Sequence, residues 1–173
     1  MDHVEQKALN LLETFNLDVF PIDVKKLASE LELEIIEEKF EDNIAGLLYY
    51  KNCKGYIGIN KRHVTNRQRF TLAHEIGHHA LLHHVSDNDI HVDRKSFIFR
   101  RTDNSDGNEI HEREANKFAA SLLMPSSLLK KYIRQNNIDL NDDLDIYELS
   151  KKLEVSEQAL TYRLLNLGLI LYR

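Results

Sequence analysis

Apolar positions divide the chain into a mixed first half and a helical second half. Apolar positions that recur every three or four residues predict helices, and short apolar runs bounded by turn residues predict strands. The predicted helices cover residues 4–15, 24–31, 65–84, 108–123, 126–136, 145–153 and 157–168. The predicted strands cover residues 34–38, 47–50 and 56–60. This order predicts an α+β domain in which a small central sheet precedes a helical C-terminal part.

Residues typical of helix starts and turns support these boundaries. Asp23 and Ser156 are predicted N-caps, and Thr65 with Gln68 has the spacing of a capping box. The last two predicted strands flank residues 51–55, a turn that contains a glycine. This pattern indicates a β-hairpin.

A polar stretch at residues 85–107 lies between the predicted sheet and the C-terminal helices. It is rich in Asp, Asn and Ser and is interrupted only by Ser96–Arg100, which predicts a short strand. The remainder is predicted to be a long loop, and loops of this length in a compact domain often carry function.

The composition is that of a soluble globular protein and excludes several other classes. The chain has 173 residues, of which 42% are hydrophobic and 29% are charged, enough for one domain with at most a small appendage. Its 23 basic and 28 acidic residues give a net charge of −5, which argues against nonspecific binding to nucleic acid. The single cysteine, Cys53, excludes an internal disulfide and a multi-cysteine zinc site. No signal peptide and no membrane span are predicted, so we expect a cytoplasmic protein with no membrane partner.

The third predicted helix contains His74-Glu75-Ile76-Gly77-His78, which has the form H-E-x-x-H. Because His74 and His78 are four residues apart, both imidazoles lie on one helix face and can reach one metal ion at about 2.0–2.1 Å. Glu75 is rotated by about 100° from His74. It is placed to take a proton from a water that attacks a carbonyl, and then to pass that proton to the leaving amine.

This pattern is uncommon by chance. One random match is expected in about 4% of chains with this His and Glu content. We therefore predict zinc binding, with a purely structural histidine pair as the alternative. Gly77 costs about 0.8–1.0 kcal/mol of helix propensity relative to Ala, which predicts the close approach of another backbone element at this position.

A catalytic zinc ion needs a third protein ligand and an open position. The fourth predicted helix places Glu112 about 60° from the centre of its apolar stripe and Glu114 about 100° away on the other side. Helix geometry therefore favours Glu112 modestly over Glu114 and leaves His111 open, whereas nothing favours Cys53. Asn116 lies one turn after Glu112, where it is either an ordinary surface residue or the acceptor of a hydrogen bond from a ligand imidazole.

Two segments of the chain carry a more specific pattern. The first is Arg69–His78, RFTLAHEIGH, preceded by Ile59–Asn60, and the second is Glu112–Pro125, EREANKFAASLLMP. The H-E-x-G-H core is shared with many zincins, whereas the run E-x-E-A-N-x-F-A-x-x-L-L-M-P is far more restrictive. Together they resemble the ImmA/IrrE family of metallopeptidases, strongly over residues 20–125 and more weakly elsewhere.

The resemblance implies a zincin-like fold, with a small sheet packed on the active-site helix, and a gluzincin-like site. Carried over to this chain, the zinc ligands are His74, His78 and Glu112, and the catalytic base is Glu75. Asn116 stands where such sites have an acidic residue, which should weaken the charge support of a ligand histidine. Family members from phages and mobile elements cleave helix-turn-helix repressors of the Xre type, so the resemblance implies the same substrate class here.

Other polar residues near this pattern have less specific interpretations. His79, His83 and His84 are expected on the solvated surface of the metal-binding helix, with hydrogen bonding to a reaction oxyanion as the alternative. The strand predicted at 56–60 is either an edge strand that pairs with an extended substrate or a plain core strand.

Residues 147–164 have the pattern of a helix-turn-helix. Their second helix carries Arg163 but no lysine and has Glu157 near its start, which is poor chemistry for binding phosphates. We therefore expect no direct nucleic-acid binding. Residues 126–173 are instead predicted to form a helical part that packs on a metallopeptidase core of residues 1–125.

Taken together, the residues and the resemblance predict a zinc-dependent endopeptidase. Its expected substrate is an Xre-type repressor, and cleavage would derepress phage, mobile-element or stress genes. We expect the polar stretch at 85–107 to gate the cleft or to read the substrate. The alternative is a non-catalytic module in which zinc is structural or sensory and the C-terminal helices recognise a repressor or DNA.

Overall fold

The computed structural model describes residues 2–83, 90–94 and 107–171. Within these ranges the helices are α1 (His3–Thr14), α2 (Val24–Glu30), α3 (Thr65–Ala80), α4 (Gly107–Leu123), α5 (Ser126–Gln135), α6 (Asp143–Leu153) and α7 (Glu157–Asn166). The strands are β1 (Leu33–Glu38), β2 (Ile44–Lys51), β3 (Lys54–Asn60) and β4 (Ile90–Arg94). The predicted α+β class is confirmed, and each predicted helix has a counterpart.

The four strands form one sheet in the order β1-β3-β2-β4. β1 is parallel to β3, whereas β2 is antiparallel to both β3 and β4. Since β3 has a partner on each side, residues 56–60 form a core strand, and the edge-strand hypothesis for them is wrong. The pairing of β2 with β4 shifts register between Ile44 and Gly46, as in a β-bulge.

β4 lies in the stretch that the sequence predicts as loop, so that part of the prediction is wrong. Few of its residues are apolar, and the strand exists because β2 offers a row of backbone donors and acceptors to pair with. The strand predicted at Ser96–Arg100 lies outside the described residues.

The helix starts follow the predictions at two of three places. The side chains of Asp23 and Ser156 cap α2 and α7 by accepting hydrogen bonds from backbone N–H groups. The predicted capping box at Thr65 is wrong, because Val64 occupies the N-cap position and makes no side-chain cap bond. Gln68 instead donates its amide N–H to a backbone carbonyl of the preceding loop, 2.6 Å away.

The hairpin turn between β2 and β3 is tighter than predicted. Asn52 and Cys53 both have positive φ angles, 53° and 61°, and are the two residues that connect the strands. This geometry is typical of a two-residue type I′ turn. The glycine of the predicted turn, Gly55, lies within β3.

The buried amide of Asn60 ties the end of β3 to the connection between β1 and β2. Its Nδ2 donates to the carbonyl oxygens of Glu41 and Ile44, at 3.1 and 2.7 Å. Its Oδ1 accepts from the backbone N–H groups of Arg62 and Phe40, at 3.0 and 3.3 Å. Because the amide uses its donors and acceptors, these hydrogen bonds offset the cost of burying it, and they fix where β2 begins.

α3 is the central helix of the described fold. It contacts β2 and β3 and also α4, which in turn contacts α1. The fully buried side chains of the core come from both the sheet and the helices and include Leu48, Ile57, Ile76, Phe118 and Leu122. The predicted packing of a small sheet on this helix is therefore confirmed.

Gly77 allows α3 and α4 to approach closely, as predicted. A Cβ atom at position 77 would lie 3.1–3.2 Å from side-chain atoms of Phe118 and 3.3 Å from the Cα of Ala115. Both neighbours are fully buried, so neither can move away freely. The cost in helix propensity at this position is offset by the packing that it permits.

Gly77→Val is therefore expected to destabilise the fold by about 1–3 kcal/mol, since it overpacks the contact between α3 and α4. Urea denaturation of the metal-free protein would measure this change without a contribution from metal binding. Glu13→Val, at an exposed position of α1, is the matched control and should cost under about 0.5 kcal/mol. Equal destabilisation by both variants would contradict the packing argument.

The C-terminal helices contact the rest of the chain through polar groups as well as through the core. Arg163 of α7 is 6% exposed and donates to the carbonyl oxygen of Met124 at 3.0 Å and to Glu5 of α1 at 2.7 Å. Asn66 of α3 donates to the carbonyl oxygen of Val155 at 2.9 Å. Buried apolar residues of both parts belong to one core, and the domain boundary at 125/126 stays a prediction.

Glu5→Gln is expected to lower stability at neutral pH by about 1.5–3 kcal/mol, because Arg163 loses its charged partner. Burial raises the pKa of Glu5, but hydrogen bonds from Arg163 and Ser126 outweigh it, so the pKa lies below its ordinary value of 4.5. A carboxyl group with a lowered pKa stabilises the fold above its unfolded pKa, and that contribution is lost as the pH falls through the folded value. Denaturation midpoints measured between neutral pH and pH of about 3 should therefore fall less steeply in the variant. Parallel pH profiles would contradict this prediction.

The helices within the described ranges are short. The longest of them, α4, has 17 residues. None is both long enough and apolar enough to cross a membrane.

Candidate metal site

Two helices bring His74, His78 and Glu112 together in the interior. The two histidines come from α3, and Glu112 comes from the early part of α4. The two Nε2 atoms are 3.0 Å apart, and the two carboxylate oxygens of Glu112 lie 3.3 Å from the Nε2 of His74 and 3.3 Å from the Nε2 of His78. The three side chains are at most 8% exposed.

These separations match the spacing of ligands around one small cation. In a tetrahedral zinc site with ligands at about 2.0–2.1 Å, neighbouring ligand atoms lie about 3.3–3.4 Å apart. The observed distances of 3.0–3.3 Å are close to that spacing, and two imidazoles with one carboxylate form a donor set that zinc accepts. Among the described residues, this is the group of His, Cys, Asp and Glu side chains that could hold a metal ion.

The structure also distinguishes among the candidates for the third position. Glu112 faces the two histidines, whereas Glu114 and His111 do not belong to the cluster. Glu114 instead pairs with His83, and His111 stacks on His83 with ring centroids 4.2 Å apart. Cys53 is exposed in the hairpin turn.

Asn116 lies beside the cluster and contacts His74. Its Oδ1 is 3.2 Å from the Nδ1 of His74. Because an amide oxygen only accepts hydrogen bonds, this contact fixes the ring hydrogen of His74 on Nδ1 and leaves the lone pair of Nε2 directed at the cluster. Of the two interpretations of Asn116, the contact with a cluster imidazole is confirmed.

Glu75 is fully buried, one residue after His74. The backbone of β2 passes close to it at Gly46. A Cβ atom at position 46 would overlap the side chain of Thr71 and lie 3.3 Å from Oε1 of Glu75. The space around Glu75 therefore depends on Gly46, which the sequence did not indicate because it lies just before the predicted strand.

His83 contacts the cluster, so its predicted place on the solvated helix surface is wrong. Its side chain is 4% exposed, its Nδ1 lies 3.0 Å from the Nδ1 of His78, and its Nε2 lies 3.1 Å from Oε2 of Glu114. A helix continued to residue 84 would have placed His83 about 140° around its axis from His78. α3 instead ends at Ala80, and no glycine marks that end.

The neighbouring histidine His79 contacts a tyrosine of the sheet. His79 is half-buried rather than solvated, and its Nδ1 lies 2.7 Å from the hydroxyl of Tyr50. Burial lowers the pKa of His79, and the nearby charge of Lys7 adds to this effect. His84 lies outside the described residues.

Known proteins match this chain at the level of family, sequence and fold. The Peptidase M78 model, described as an IrrE N-terminal-like domain, matches residues 28–165. "Uncharacterized immunity region protein 2" of Bacillus phage phi105 is 29% identical over 107 residues, which are 62% of this chain and 61% of that protein. A transcriptional regulator of Mycobacterium tuberculosis has a similar structure, with a TM-score of 0.62 at 14% identity over 94% of this chain and 46% of that one. The matched region is therefore less than two thirds of either protein.

Proposed function

Because the chain belongs to the Peptidase M78 family of IrrE N-terminal-like domains, we propose that it is a zinc-dependent endopeptidase. The observation that carries the proposal is the buried cluster of His74, His78 and Glu112, with ligand atoms 3.0–3.3 Å apart. Three protein ligands around a tetrahedral ion leave one position open, which is the arrangement of catalytic rather than structural zinc sites.

The residues of the cluster have separate roles in the proposed reaction. His74 and His78 would hold the ion through Nε2, and Glu112 would hold it through its carboxylate. A bound zinc ion would supply Lewis acidity, which polarises the scissile carbonyl and makes water more acidic. Glu75 accepts a proton from the attacking water and donates it to the nitrogen of the leaving amine. Asn116 orients the ring of His74 through its amide oxygen.

We further propose that the substrate is a helix-turn-helix repressor of the Xre type. Two observations support this substrate class. The resemblance to the ImmA/IrrE family implies it, and the phage relative carries a name that refers to an immunity region. Cleavage of such a repressor would derepress the genes under its control.

In α7, the second helix of the helix-turn-helix pattern, the structure offers no comparable support for direct DNA binding. Arg163 is the single basic residue of α7, and its guanidinium is buried against Glu5 and the carbonyl oxygen of Met124. It is therefore not available to a phosphate. Packing on the rest of the chain accounts for its position.

The proposed function is tested by co-expression with Xre-type repressors from the same genome. We expect the repressor to be cut, and mass spectrometry of the fragments would locate the scissile bond. An intact repressor in the presence of the zinc-loaded protein would contradict the proposed substrate. Cleavage of a different protein under the same conditions would support the proposed peptidase activity and contradict the proposed substrate.

A further inference from the structure

We propose that His83 and Glu114 are positioning residues, which fix the ring of His78 through a chain of two hydrogen bonds. The inference rests on the proposed metal site. His78 directs Nε2 at the cluster and Nδ1 at His83, 3.0 Å away. His83 in turn directs Nε2 at Glu114, 3.1 Å away.

When His83 is neutral, these three groups allow one placement of the hydrogens. A carboxylate only accepts, so the Nε2 of His83 carries a hydrogen and donates it to Glu114. Neutral His83 then has a lone pair on Nδ1, which accepts from the Nδ1–H of His78. His78 therefore keeps its own lone pair on Nε2, the atom that faces Glu112 and His74. The chain of hydrogen bonds selects the tautomer of His78 that is able to bind a metal ion.

The backbone after α3 brings His83 back to His78. Leu82 adopts a left-handed conformation, with a φ of 56°, and the N–H of His83 donates to the carbonyl oxygen of His78 at 3.0 Å. The N–H of Leu82 donates to the carbonyl oxygen of His79 at 3.2 Å. These two bonds form a Schellman motif, which reverses the chain within two residues. Leu82 is 72% exposed, so burial of its side chain among the described residues does not explain this conformation.

The ring of His83 is also held from its face and from its far end. His111 of α4 stacks on it, with an interplanar angle of 10°. Glu114, one helical turn further along α4, is 35% exposed and forms the outer end of the chain. Both of these contacts with His83 therefore come from α4, the helix that also contributes Glu112.

The two histidines of the cluster differ in the charge of the group that accepts their Nδ1 hydrogen or lies behind that acceptor. His74 contacts a neutral amide, that of Asn116. His78 contacts a carboxylate indirectly, through His83. The negative charge that is missing beside His74 is thus present beside the other histidine, where it raises the basicity of the imidazole.

The test compares zinc affinity in the full-length parent and in variants, by competition with a chromophoric chelator. His83→Phe keeps the stacked ring but removes both hydrogen bonds, and we expect it to weaken zinc binding by about 10–100-fold. His83→Gln should restore most of the affinity, because its amide oxygen can accept from His78 while its amide N–H donates to Glu114. The matched control is His79→Phe, which removes a hydrogen bond to Tyr50 and should change zinc affinity by less than about threefold.

A proton NMR spectrum of the zinc-loaded protein provides a second measurement. The Nδ1–H of His78 should give a downfield signal in the parent and in His83→Gln that is absent in His83→Phe. Unchanged zinc affinity in His83→Phe would overturn the inference and leave the proposed metal site standing. Equal losses in His83→Phe and His79→Phe, without recovery in His83→Gln, would overturn it in favour of a purely structural role. If the parent itself bound no zinc, the proposed function would fail first.

Discussion

Replacing Glu75 by Gln is expected to slow cleavage of the proposed repressor substrate strongly while zinc stays bound. The amide has the size of the carboxylate but cannot accept a proton from water, and loss of a general base lowers rates by about 10²–10⁴-fold. Glu75 lies outside the cluster of His74, His78 and Glu112, so zinc content should not change. Cleavage is measured on the co-expressed repressor by mass spectrometry, and zinc by elemental analysis of the purified protein.

Glu148→Gln is a matched control for this experiment, since Glu148 is exposed on α6. It should cleave at the parental rate. If Glu75→Gln regulated its target as well as the parent did, the peptidase proposal would be wrong, and a non-catalytic zinc module would be the better account. If Glu75→Gln lost zinc as well as activity, the variant would be reloaded with excess zinc and assayed again. Recovery of cleavage by the reloaded variant would exclude Glu75 as the base, whereas continued inactivity with zinc bound would support that role.

Glu112→Ala is expected to weaken zinc binding by more than 100-fold, beyond the range of about 10–100-fold that is typical for residues that only support a ligand. The variant leaves two imidazoles to hold the ion, and both are buried with no other carboxylate in their cluster. Glu114→Ala should weaken binding within the smaller range, because Glu114 acts on His78 through His83. Zinc content after dialysis and chelator competition measures both variants.

The order of these two effects decides between the candidates for the third ligand. A larger loss in Glu114→Ala than in Glu112→Ala would contradict the assignment of Glu112. Equal and complete loss of zinc binding in both variants would contradict the proposal that Glu112 holds the ion whereas Glu114 only positions His78.

The parts of the site that the sequence predicts are those set by local geometry. His74 and His78 meet because residues four apart share a helix face, which is independent of the rest of the fold. Glu112 could be favoured because the apolar stripe of α4 fixes which way that helix faces. The close approach at Gly77 followed from the cost of a glycine within a helix.

The parts that the sequence did not predict depend on tertiary contacts or on an unmarked chain reversal. β4 exists because β2 has an edge to pair with, and its own residues give a weak strand signal. The end of α3 has no glycine, since Leu82 takes the left-handed position that glycine usually fills. The predicted helix therefore extended beyond Ala80 to residue 84, and for this reason the sequence did not predict the contact of His83 with His78.

A metal ion in this cluster would also connect two distant parts of the chain, since its ligands come from both α3 and α4. In the sequence, residues 79–111 lie between two members of the cluster, His78 and Glu112. One ion bound to both would therefore act as a crosslink that closes this stretch into a ring. Crosslinks of this kind stabilise a fold by restricting the unfolded chain. A cut within this stretch would leave two polypeptides that the ion joins in addition to the packing of α3 on α4.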